Sequence, residues 1–113
     1  MSRPLSKNEI PFLVLAVLGD GPQHGYAIAR EVEARSDALF QLREGALYPA
    51  LRLLEQDEYI EGTWEIQTSG PARKVYRITD SGRAELTKRA KEWSAYQQAM
   101  NAFVGGKKHA PAT

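Results

Sequence analysis

Cysteine is absent from the 113 residues. That excludes disulfides, thiol catalysis and thiolate metal sites, and it fits a reducing compartment. Histidine is scarce: there are two, and His24 has no second His or clustered carboxylate at ligand spacing, so no metal site is expected. No apolar run has membrane-spanning length. The longest, IPFLVLAVLG at 10–19, is about half of the ~20 residues a bilayer requires. Met1-Ser2-Arg3-Pro4 runs straight into that segment, without the layout of a secretion signal, so the sequence reads as a cytoplasmic protein with no membrane partner. Charge imbalance is missing too. A formal net charge of +1 means that any nucleic-acid partner requires basic residues gathered on one face. Gly19 and Gly21 lack the Lys-Ser/Thr of a phosphate loop, and no nucleophile has an evident base, His109 lying in the C-terminal tail. Neither an enzyme nor a cofactor is expected.

What is present is ordered by hydrophobic period. Ile10, Leu13, Val14, Val17 and Leu18 form one helical face, opened by Ser6 and Glu9 at capping-box spacing and closed by Gly19, Gly21 and Pro22. HGYAIAREVEARS reads as a second helix, with Tyr26, Ile28, Ala29 and Val32 inward and Arg30, Glu31, Glu33 and Arg35 outward. DALFQLR is a connection. EGALYPALRLLE is the third helix: Leu47, Ala50, Leu51 and Leu54 share a face, and Tyr48, Arg52 and Glu55 occupy the other.

The period then shortens. GTWEIQ and ARKVYRIT alternate around a Ser-Gly-Pro turn and read as a hairpin. Thr79 is placed to cap a long last helix, although Gly82 in its first turn weakens that reading. Along it Leu86, Ala90, Trp93, Tyr96, Met100 and Phe103 step as a near-heptad stripe suited to a partner helix. Small and polar residues fill 105–113, a segment expected to be disordered.

Three helices followed by a two-stranded wing make a winged helix-turn-helix, an α+β fold that is mostly α. Residues 1–78 are expected to be the DNA-binding domain and 79–104 a C-terminal dimerisation helix. In such folds the third helix enters the major groove. The aliphatic face of EGALYPALRLLE would then dock on its two predecessors, leaving Tyr48 and Arg52 for double-stranded DNA. Basic residues gather after the hairpin turn: Arg73, Lys74, Arg77, Arg83, Lys88, Arg89 and Lys91, opposed between 71 and 91 by Asp80 and Glu85. Arg73 and Lys74 are candidate phosphate contacts. His24 is a candidate phosphate donor or a packing residue, and Gly25 suggests a close approach. Glu55, Asp57, Glu58 and Glu61 would repel a phosphate backbone, so only the first part of the third helix is expected to approach DNA.

VLGDGPQHGYAI, GALYPALRLLEQDEYI and RKVYRITDSGRAEL, with the Trp-bearing last helix, resemble the PadR family of bacterial transcriptional regulators, its short subgroup in particular. The resemblance covers about residues 10–100. It implies a homodimeric winged-helix repressor, with the last helix making the dimer and the wing touching DNA. Ala46 stands where many relatives carry Thr, and Val75 where an aromatic is frequent. Some relatives sandwich flat aromatic compounds between tryptophans of paired last helices, and Trp93 stands at the matching place. That leaves an alternative reading: a sensing or protein-interaction dimer that binds planar aromatic effectors at the Trp93 interface.

Overall fold

The computed structural model describes residues 4–105. The expected disorder at 106–113 lies outside them. Seven elements follow in order: α1 (Glu9–Leu18), β1 (Gln23–His24), α2 (Gly25–Arg35), α3 (Glu44–Gln56), β2 (Ile60–Glu65), β3 (Arg73–Ile78) and α4 (Asp80–Val104). The winged helix-turn-helix is formed as the sequence pattern indicates, with one addition. The sheet has three strands in the antiparallel order β1-β3-β2, because Gln23 and His24 pair with Tyr76 and Val75 before α2 begins.

The capping box at the start of α1 is made in both directions. The Ser6 N–H donates to Glu9 Oε1 (2.9 Å) and the Glu9 N–H donates to Ser6 Oγ (3.2 Å), so two helix-end donors are satisfied by side chains. Val14, Leu15, Val17 and Leu18 from α1, Ile28 and Val32 from α2, and Leu47, Leu51 and Leu54 from α3 form the core. Ile60 and Tyr76 close it from the sheet. Pro49 lies inside α3, where proline removes one backbone hydrogen bond. The buried leucine stripe holds the helix across it.

Tyr26 does not face this core, contrary to the sequence expectation; it is 62% exposed. Residues 26 and 30 share one side of α2, and 28 and 32 share the other. Burial of Ile28 and Val32 therefore turns Tyr26 outward, where the Arg30 guanidinium lies 5.6 Å from its ring centroid.

α4 begins inside the domain and ends outside it. Thr79 Oγ1 accepts the Gly82 N–H (3.0 Å) and donates to the Glu58 carbonyl (2.7 Å), to which Ser81 Oγ also donates (2.9 Å). The cap thus ties the helix to the turn between α3 and β2. Gly82 is buried, and Leu86 packs against the core beside Gly19. From Lys91 onward every described residue is exposed. The radius of gyration is 17.0 Å, against about 13 Å for a compact chain of this length. The projecting helix accounts for the elongation. Among the described residues no helix is long and apolar enough to cross a membrane.

Candidate nucleic-acid interface

α3 and the β2–β3 wing lie side by side, joined through Glu55 and Lys74. Amphipathic packing of Leu47, Leu51 and Leu54 fixes the roll of α3, so Tyr48 and Arg52, one turn apart, emerge on its exposed side. Tyr48 is 39% exposed. Its ring lies on the backbone of Gly25, where a Cβ would stand 2.9 Å from the phenol oxygen. The glycine at the start of α2 therefore sets how deeply the Tyr48 ring sits.

Strand pairing places β2 against β3 from Ile60↔Ile78 to Glu65↔Arg73. Strand alternation divides their side chains between two faces. Ile60, Tyr76 and Ile78 lie on the face that meets the core, and Trp64 and Lys74 continue that face outward past the C-terminal half of α3. Lys74 Nζ donates to Glu55 Oε1 at 3.1 Å. It also stands 5.9 Å from the Trp64 ring centroid and 5.4 Å from that of Tyr76. The carboxylate that was expected to repel DNA is thus neutralised from the wing. Arg73 lies on the opposite face, exposed, with Glu65 as its strand partner. At the far end of the wing Trp64 and Ile66 are exposed at 66% and 90%.

Burial pushes the Tyr76 phenol above the ordinary tyrosine value. Lys74 and Arg52 pull it down, while Glu55 and Tyr48 push it further up. Five polar side chains from α3 and β3 therefore share one electrostatic neighbourhood.

His24 stands at the edge of the sheet. Its Nε2 is 3.3 Å from Glu65 Oε1, so its ring is turned to the wing. The basic residues farther along are partly engaged: Arg83 donates to the Gly19 carbonyl (3.4 Å) and Arg89 to Glu85 (2.8 Å). Ala90, Trp93, Tyr96, Met100 and Phe103 form an exposed stripe on α4, with the Trp93 and Tyr96 ring centroids 5.4 Å apart. Leu86, the first residue of the expected stripe, is half-buried against the core. Among the described residues no group of three or more His, Asp or Glu side chains is arranged to hold a metal.

The Lys74–Glu55 bridge was not anticipated, because its partners lie on different elements. Gly62 carried the available signal. A lone glycine in a strand marks a close approach, and the Lys74 side chain crosses β2 where a Cβ on Gly62 would stand.

Residues 14–88 match the transcriptional regulator PadR-like family. Among solved structures, smu.1704 from Streptococcus mutans is 31% identical, with a TM-score of 0.81 over 98% of this chain and 100% of that one. A PadR family transcription regulator from Clostridium difficile is 33% identical, with a TM-score of 0.74 over 84% of this chain and 97% of its own. Bacillus subtilis PadR, solved in complex with operator DNA, is 26% identical with a TM-score of 0.67; 73% of this chain is covered, and 46% of that one.

Proposed function

Because this chain belongs to the PadR-like family of transcriptional regulators, we propose that it is a homodimeric repressor that binds double-stranded DNA through α3 and the wing. The observation that carries this reading is the flank of α3 on which Tyr48 and Arg52 are exposed beside a wing bearing Arg73. A phenol donates to phosphate, and a guanidinium grips either phosphate or the O6/N7 edge of guanine. Arg52 is assigned to base choice, Tyr48 to the backbone or a base edge, and Arg73 to phosphate. Bacillus subtilis PadR, named a negative transcriptional regulator and solved on its operator, supports both the partner and the sign of regulation.

α4 supports the dimer. Trp93, Tyr96, Met100 and Phe103 are large apolar side chains left in water on one helix. Pairing with the same helix of a second copy would bury them in the manner of a coiled-coil seam. Two α3 helices would then reach successive major grooves about one helical turn apart, ~34 Å. Competition gel shifts against random duplex at several salt concentrations test the function. Preference for a selected duplex is expected, and equal binding to all duplexes at every salt concentration would contradict it.

A second reading has its own observation. The Trp93–Tyr96 ring pair offers flat apolar faces to a planar aromatic effector if the paired helices leave a gap there. Quenching of fluorescence by such compounds, lost in Trp93→Phe, is the expected sign.

A further inference from the structure

The wing lysine is placed to do something other than meet DNA. Lys74 crosses β2 above Gly62 and reaches Glu55 on α3, with its ammonium 3.1 Å from the carboxylate and beside the rings of Trp64 and Tyr76. Both side chains of the pair are under one-third exposed, at 28% for Lys74 and 29% for Glu55. A Cβ on Gly62 would collide with the Lys74 stem, and it would stand 3.1 Å from Glu55 Oε2. Three residues from α3, β2 and β3 are therefore matched to a single bridge, between the wing and the proposed recognition helix.

We propose that Lys74 is a positioning residue: with Glu55 and Gly62 it latches the wing to α3 and sets the separation at which the wing and the recognition helix meet the duplex. This rests on the DNA-binding reading above. A side chain that is already paired releases no DNA counterion of its own, whereas one that neutralises a phosphate contributes ~0.9 to the slope of log K against log salt. The slope therefore distinguishes a latch from a phosphate ligand. A residue serving only to keep the chain folded would leave affinity unchanged in variants that remain folded.

The test is a salt series on a duplex selected from a random pool by the wild-type protein, with Arg73→Ala, Lys74→Met and Gly62→Ala. Lys74→Met is expected to weaken binding about tenfold with the slope unchanged. Arg73→Ala is expected to lower the slope by about 0.9. Gly62→Ala keeps every charge yet displaces the Lys74 stem, and is expected to weaken binding by a similar factor to Lys74→Met. Hydrogen exchange on the free proteins provides an arm that needs no DNA: the amides of Gly62 to Glu65 are expected to exchange faster in both Lys74→Met and Gly62→Ala. A slope lowered by about 0.9 in Lys74→Met, or wild-type affinity and exchange in both latch variants, overturns the proposal. A wild-type protein that selects no duplex contradicts the DNA-binding reading, and the latch itself is then decided by the exchange arm.

Discussion

A methyl group on Gly82 would overlap the Tyr59 carbonyl oxygen. The first turn of α4 and the turn that follows α3 meet there backbone to backbone, with Ile78 also close. The contact is reinforced by the Thr79 N–H, which donates to that same carbonyl at 3.0 Å. Gly82 is therefore the junction between the winged-helix unit and the helix that leaves it. Gly82→Ala is expected to destabilise the protein by about 2–3 kcal/mol through overpacking, read as a lower urea midpoint with an unchanged m-value. A midpoint equal to wild type would show that the two turns can separate freely.

The same residue shows what the sequence conveys and what it hides. Helical glycine is usually a weakness, and in the linear reading Gly82 argued against a helix that Thr79 and the later stripe supported. The close approach that makes glycine necessary involves Tyr59, a residue 23 positions earlier, and helical periodicity carries no information about it. Local patterns did transfer: the Ser6–Glu9 box, the three helices and the leucine face of α3 all follow from spacing. Tyr26 faces outward because Ile28 and Val32 take the core side of α2, and an aromatic at the start of a short helix does not reveal which side that is. β1 was missed because two residues are too few to show a period. The Lys74–Glu55 bridge joins elements whose register the sequence does not reveal.

The exposed stripe on α4 leads to a prediction about assembly. If Trp93 is central to a helix pair, Trp93→Ala should remove about 3–5 kcal/mol. Analytical ultracentrifugation at micromolar concentration is expected to show a dimer for wild type and a large monomer fraction for the variant. An unchanged dimer that melts at the wild-type temperature would place Trp93 in an open gap and favour the effector-binding reading.

Tyr76 leads to a prediction about alkaline pH. Its phenol is raised above the ordinary value chiefly by burial. The unfolded chain therefore releases this proton at lower pH than the folded one. The stabilising contribution is complete below the unfolded value of about 10 and is lost as pH rises through the folded value. Between pH 9 and 11 the stability of wild type is expected to fall more steeply than that of Tyr76→Phe in chemical denaturation. Parallel curves would mean that the Tyr76 proton is not linked to folding.

The Tyr48 ring packs on Gly25 with its hydroxyl nearest the glycine, so its packing and its proposed binding role can be tested separately. Tyr48→Phe keeps the ring and removes the donor. It is expected to preserve the melting temperature and to weaken binding to a selected duplex by about 1 kcal/mol, the usual net worth of one hydrogen bond. Gly25→Ala should shift the ring and impair binding further. Wild-type affinity in Tyr48→Phe would remove Tyr48 from the proposed interface.

The most direct test of the central claim, that the outer flank of α3 reads DNA beside the wing in a two-fold pair, is selection of duplexes from a random pool by wild type and by Arg52→Ala, in parallel. The account predicts that wild type enriches two inverted half-sites about one helical turn apart, and that Arg52→Ala relaxes the preference at one position in each, by about 1–3 kcal/mol. A pool without enrichment, or the same motif recovered at the same strength by both proteins, would contradict it.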